Sequence, residues 1–221
     1  MSWTTYQENV AKMLFDVGAV KFGAFKLKLH EKQPDAPLSP IFLNLRTPDN
    51  PKPGPLRAHH VDMIGEVLYS RHCEAHMSFD HVAGVPRAGE PFAKAFLKVL
   101  ANRNCGLLRL TKSEDATRRM VSGILEGTYA PGDTVLLMDD LITKADSKLE
   151  AIAVLEGAGL VVKDVLVLVD REQGGGKELA EAGYRLHSVF TLTTLLHYYV
   201  SQKSITADKR SEVLAYLVSN G

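Results

Sequence analysis

The sequence predicts an α/β domain in which a mostly parallel sheet carries helices on both faces, behind a small N-terminal subdomain. Three observations carry this expectation. From His59 onward, short apolar runs such as Val135 to Met138 and Val161 to Val169 alternate with stretches of helical length. Several of these runs end in clusters of glycine and charged residues, the place where open parallel sheets hold ligands. The 221 residues are near the upper end for one domain and enough to bury a sizeable core.

Each element has its own signal. Thr5 to Phe15 places Val10, Met13 and Leu14 at helical spacing. Phe22 to Leu29 alternates, with Phe25, Leu27 and Leu29 on one side, and reads as a strand with one wet face. Gln33 to Pro40 is a Pro-rich break, Ile41 to Leu45 a second strand, and Thr47 to Pro55 a Pro-rich loop closing the N-terminal subdomain, at about residue 58. The spacing then predicts a helix over Val61 to Tyr69, a strand at His81-Val82-Ala83, a helix over Glu90 to Leu100 and a strand over Gly106 to Leu110. Val135 to Met138 reads as a buried strand, followed by a helix from Ser147 to Glu156. The strand Val161 to Val169 and a helix over Lys177 to Ala182 complete the alternation.

The bulk numbers restrict function. Lys plus Arg and Asp plus Glu are 26 each, so the chain lacks the basic excess of a nucleic-acid binder. Two cysteines, Cys73 and Cys105, form no CxxC pair and favour a reducing compartment. The N-terminus lacks signal-peptide blocks, and Lys163-Asp164 interrupts the most apolar stretch, so a cytoplasmic protein is expected. His72, His76 and His81 invite a metal reading, but no Cys or carboxylate cluster completes a shell, and surface histidines are expected. GxSxG, GxGxxG and GxxxxGK[ST] are absent, against hydrolase, dinucleotide and Walker-type sites.

The chemistry concentrates on Val135 to Ser147. An apolar strand delivers the adjacent carboxylates Asp139 and Asp140, then Thr143, Lys144, Ala145, Asp146 and Ser147 lead into a helix. Loop amides and a helix N-terminus suit a phosphate, Thr143 and Ser147 add hydroxyls, and the carboxylates suit sugar hydroxyls. The competing reading makes Asp139 and Asp140 solvated strand-closers and Ser147 an ordinary N-cap. Two other strand ends weigh against it. Gly84-Val85-Pro86-Arg87-Ala88-Gly89 is a tight turn with a cation, and Asp170-Arg171 precedes a glycine run at Gly174 to Gly176.

The order of these features resembles the orotate phosphoribosyltransferase family, in particular the form found as the N-terminal half of UMP synthase. The Asp139-Asp140 turn marks the wider type I phosphoribosyltransferase class. Asp170-Arg171-Glu172-Gln173-Gly174-Gly175 makes the likeness specific to orotate, and Arg185-Leu186-His187-Ser188-Val189 and Ser39-Pro40-Ile41-Phe42 support it. The resemblance implies a type I phosphoribosyltransferase fold with an N-terminal hood. The implied reaction is displacement of pyrophosphate from phosphoribosyl pyrophosphate (PRPP) by orotate, giving orotidine 5'-monophosphate, with Mg2+ carried on the PRPP oxygens and a homodimer as the working unit. By match to the family pattern, Asp139 and Asp140 would hold the ribose hydroxyls and Thr143 to Ser147 the 5'-phosphate. Arg87 would lie beside the pyrophosphate; Lys28 and Arg171 would face orotate and the leaving group; Phe42 would wall the base pocket. Arg109 and Lys112 would act from the loop that closes over pyrophosphate.

Three departures fall on that chemistry. The family's phosphate loop reads Thr-x-Gly-x-Ser or Thr; Ala145 stands at the glycine and Asp146 adds a negative charge. The mobile loop usually reads Arg-Lys-x-x-Lys-x-His-Gly. Here the region Arg109 to Arg119 keeps Arg109, aligns Lys112 only with a shift and has no histidine, while Arg118 and Arg119 offer other cations. The usual Lys-Ser-Gly after the first strand is Lys28-Leu29-His30. Two readings follow: an active orotate phosphoribosyltransferase, or a catalytically weakened relative binding a nucleotide or phosphoribosyl ligand in a regulatory role. A Lys144 folded into the phosphate site would favour the first, an Asp146 carboxylate filling the cradle the second.

Overall fold

A computed structural model describes residues 3–26, 34–101, 105–114 and 119–220. The chain opens with α1 (Thr5–Asp16), capped by the Thr4 hydroxyl, which accepts from the Gln7 N–H while the Gln7 side chain accepts from the Thr4 N–H. The antiparallel pair β1 (Val20–Phe25) and β2 (Ser39–Leu43) forms a hood. Both strands start two residues earlier than the sequence alternation suggests. Ser39 and Pro40 read as a break, yet an edge strand tolerates a proline because its missing N–H faces no partner.

The helices α2 (Ala58–Ala75) and α3 (Glu90–Leu100) flank β3 (His81–Gly84), and the α3 bounds agree with the sequence reading. The strands β4 (Gly106–Glu114) and β5 (Arg119–Glu126) pair antiparallel. This corrects the expectation that Gly106 to Leu110 is a short strand opening into a loop. β6 (Thr134–Ile142), α4 (Asp146–Gly157), β7 (Val161–Asp170), α5 (Gly175–Glu181), β8 (Arg185–Thr191), α6 (Leu192–Ser201) and α7 (Ala207–Asn220) complete the chain. None of the helices among the described residues is long and apolar enough to cross a membrane.

The six-stranded sheet has the order β5-β4-β3-β6-β7-β8, parallel except for β5. From β3 the chain crosses through α3 to β4 on one side, and from β6 through α4 to β7 on the other. The direction of winding therefore reverses between β3 and β6, opening a crevice beyond their carboxyl ends. The register aligns those ends: Gly84 faces both Arg109 of β4 and Met138 of β6.

Pleating divides β6 between two cores. Leu136 and Met138 join α1, α2, α3, α6, α7 and the hood, whereas Val135 and Leu137 join α4 and α5. Val213 and Leu217 of α7 lie in the same core as Ile41 and Leu43 of the hood. His81 is not a surface histidine: it is 8% exposed, with Nε2 2.9 Å from Asp133 Oδ2. His76 is exposed, and no group of His, Cys, Asp and Glu placed to hold a metal occurs among the described residues.

Candidate active site at the switch point of the sheet

Three strand ends meet in the crevice because their connecting turns are built for close approach. The turn after β3 lies on the end of β6: the Val85 N–H donates to Met138 O at 2.8 Å. A Cβ on Gly89 would stand 2.4 Å from that carbonyl oxygen and 2.9 Å from Asp139 Cα, so only glycine lets the turn sit there. On the other side the Arg171 N–H donates to Ile142 O at 3.0 Å, and the Gly175 N–H to Thr143 O at 3.0 Å. Gly84 to Gly89, Asp139 to Ser147 and Asp170 to Gly175 thus form one continuous rim.

The carboxylates at its centre are buried, not solvated strand-closers: Asp139 is 4% and Asp140 8% exposed. Strand β6 continues through both to Ile142. Asp139 follows Val135 and Leu137 on the face toward α4, and there Lys148 meets it with Nζ 2.5 Å from Oδ2. The same ammonium donates to Leu141 O at 2.6 Å, and Asp139 Oδ1 accepts from the Asp140 N–H at 2.9 Å. Asp140 Oδ1 accepts from the Leu141 N–H at 2.8 Å. Burial, then the neighbouring Asp139, push the Asp140 carboxyl up to about 7, with Lys148 pulling the other way.

Lys148 is the residue that sequence reasoning missed. Its signal is a helical stripe in which Lys148, Ala151, Ile152 and Leu155 are all buried. A lysine on the apolar stripe of a helix following an Asp-Asp strand end calls for a carboxylate partner across the layer.

The loop differs from its expectation in two ways. The N-cap of α4 is Ala145, in the αR region and without a side-chain cap, instead of Ser147. Lys144 is half exposed and turns toward α5, its Nζ 3.9 Å from Glu178 Oε1, while Glu178 Oε2 accepts from the Ala145 N–H at 2.7 Å. Asp146 is exposed in the first turn of α4, and Ser147 is part-buried one residue further on. The carboxylate on the loop amide is therefore that of Glu178.

Arg171 is 8% exposed at the end of β7, and its Nε and Nη2 have no hydrogen-bond partner among the described residues. Burial lowers its pKa, countered by the Tyr216 phenol of α7. Arg87 is exposed in the turn after β3. Arg109 lies in β4, not in a loop, with Nε 3.1 Å from Glu90 Oε1 and Nη1 2.8 Å from Glu126 Oε2. Arg87 and Arg109 share a cavity of about 630 Å3 with Asp49, Asn50 and Glu90, lined by α2, α3 and β4 and by none of Asp139 to Ser147. Phe42 lies in the hood, its ring centroid 5.6 Å from that of Phe25. Lys112 is in β4 opposite Val121, and Lys28 and Arg118 lie outside the described residues.

A buried acidic pair at the switch point, a loop amide already holding a carboxylate and an arginine with two unpaired nitrogens thus lie along one rim. The phosphoribosyl transferase domain matches residues 58–184, which hold the whole rim. The orotate phosphoribosyltransferase of Sulfurisphaera tokodaii is 32% identical over 144 residues, 65% of this chain and 71% of that protein. The chain belongs to the orotate phosphoribosyltransferase family. Uridine 5'-monophosphate synthase of Bos taurus is 35% identical over 209 residues, covering 94% of this chain but 40% of that longer protein. The crystal structure of orotate phosphoribosyltransferase from Aeropyrum pernix superposes with a TM-score of 0.65 at 29% identity, covering 85% of this chain and 96% of that one.

Proposed function

We propose that the chain is an orotate phosphoribosyltransferase, a pentosyltransferase that moves the phosphoribosyl group of PRPP to orotate in pyrimidine nucleotide biosynthesis. The observation that carries this is Arg171, a buried guanidinium with two unpaired nitrogens on the rim that also bears Asp139 and Asp140. A planar carboxylate such as that of orotate answers such a fork with two parallel hydrogen bonds and relieves the cost of leaving it unpaired. Asp140, with one oxygen on the Leu141 N–H, retains acceptor capacity for a ribose hydroxyl.

The chain's work in this reaction is positioning and charge. The amides at the start of α4 hold the 5'-phosphate, fixing the ribose across the end of β6. Arg171 holds orotate so that N1 faces C1 of the sugar. The carboxylates then stabilise the positive charge that grows on the ribose as the bond to pyrophosphate breaks. Arg87 faces the negative charge that grows on the leaving group. Mg2+ belongs to this proposal as an ion that would arrive with PRPP and supply positive charge to the leaving pyrophosphate. Asp139 is already neutralised by Lys148, so the acidic pair fits an ion that arrives with the substrate. A homodimer and a cytoplasmic setting are part of the same proposal.

The second reading, a nucleotide-binding relative without turnover, is favoured by one feature: the Ala145 amide is occupied by the Glu178 carboxylate. Orotate consumption by the purified protein with PRPP and Mg2+ separates the two, with Asp139→Asn/Asp140→Asn as control. Turnover lost in the double variant supports the enzyme. No turnover by folded protein that still binds orotidine 5'-monophosphate supports the second reading.

A further inference from the structure

The α4 N-terminus is served by an element that the fold holds in place. Gly174, at φ 95°, turns the chain out of β7, and Gly175 packs so tightly that a Cβ there would stand 2.6 Å from Ile142 Cγ1. The Gly175 N–H anchors to Thr143 O. Three residues on, nearly one helical turn, Glu178 comes round to the loop on the same face. Its Oε2 takes the Ala145 N–H at 2.7 Å and its Oε1 lies 3.9 Å from Lys144 Nζ. A Cβ on Gly174 would lie 3.1 Å from that ammonium and 4.0 Å from Glu178 Oε1, so the three groups converge on one point.

Ala145 carries no side-chain cap of its own, and the amides opening a helix attract an anion. An ionised carboxylate on one of them forms a charge-assisted hydrogen bond of the kind a phosphate oxygen would form. Lys144 and Glu178 are 47% and 39% exposed in their side chains, so the pair can swing into solvent without unpacking a core.

We propose that the Glu178 carboxylate is an intramolecular anion seated on the phosphate cradle of α4, which a ligand phosphate displaces, so that Glu178 sets the phosphate affinity of this chain. The proposal rests on the reading of the Thr143–Ser147 loop as a phosphate site. Binding is an exchange in which the phosphate oxygen takes the Ala145 N–H and the carboxylate moves to water. The exchange repels a second negative charge until Glu178 has left.

The test is titration of wild type, Glu178→Gln and Glu178→Ala with inorganic phosphate by calorimetry, alongside orotate turnover with PRPP. Both variants change a surface side chain, and thermal unfolding checks that each is folded. Phosphate affinity is expected to rise about tenfold in Glu178→Ala, and less in Glu178→Gln, whose amide oxygen still accepts from Ala145. Affinity that is unchanged or lower in both variants, or no phosphate binding by any of the three, overturns the proposal. Higher phosphate affinity without turnover in any protein keeps Glu178 in this role and removes the transferase reading. Turnover in wild type with phosphate affinity indifferent to both changes does the reverse.

Discussion

Replacing Asp140 by Asn should make the protein more stable, and increasingly so as the pH rises. The carboxyl is buried beside Asp139, and these two effects lift it from an ordinary 3.8 to about 7, although Lys148 opposes the lift. Between those values the folded chain holds a proton that the unfolded chain has released. The group's contribution is thus fully present below about pH 4 and is lost as pH rises through about 7. At about 1.4 kcal/mol per pH unit, that interval has a ceiling of about 4 kcal/mol. The introduced amide would keep an oxygen for the Leu141 N–H and carry no charge at any pH. The stability difference between variant and wild type should therefore grow from near zero at acid pH to about 2–4 kcal/mol at pH 8. For a chain of this size that is a rise in Tm of about 5–15 °C. His60 and His72, whose pKa values burial lowers, are common to both proteins and cancel in the difference. Urea unfolding at half-unit steps from pH 4.5 to 8.5 reads the quantity directly. A difference that does not vary with pH would refute the reasoning, because it would mean that Asp140 titrates alike in the folded and unfolded states.

Two more expectations concern the buried charges. Lys148→Met should destabilise the fold by about 3–5 kcal/mol by leaving Asp139 buried and unpaired, while Lys148→Met/Asp139→Leu should recover most of that loss in urea unfolding; equal losses in both would contradict the ion pair. Arg171→Met should leave stability unchanged or raise it by about 1–3 kcal/mol, since it removes an unpaired buried cation, and should abolish binding of orotate in calorimetry; retained orotate affinity would take Arg171 out of the base site.

How legible each part was follows from what the chain shows locally. The helix Glu90–Leu100 was readable because Phe92, Ala93, Ala95 and Phe96 form one apolar face with Pro91 at its start, whereas its close on Ala101 in the left-handed region shows only in the structure. The strands β5 and β8 were not readable. Arg119–Glu126 and Arg185–Thr191 lie at the two edges of the sheet and carry charged or polar residues where a central strand carries valine and leucine. Arg109, inside the strand read over Gly106 to Leu110 but given to a loop by the resemblance, is held in β4 by Glu90 and Glu126, neither of which is near it in sequence. The acidic pair, the turn from Thr143 to Ser147 and Arg171 were visible as clusters after apolar runs. Lys148 left only its place on the apolar stripe of α4 as a signal, and Glu178 left none, since a cap supplied from 33 residues away has no spacing to read.

The division of the sheet into two cores gives the rim two separate foundations. The side of the rim with Ile142 and Ala145 is rooted, together with Leu179, in the core of α4 and α5. The hood strands and α7, whose Tyr216 lies near Arg171, are rooted in the opposite core. On the proposed function, a sugar phosphate bearing a base would span both cores across the shared strand β6, and a bound nucleotide would act as a strut between them.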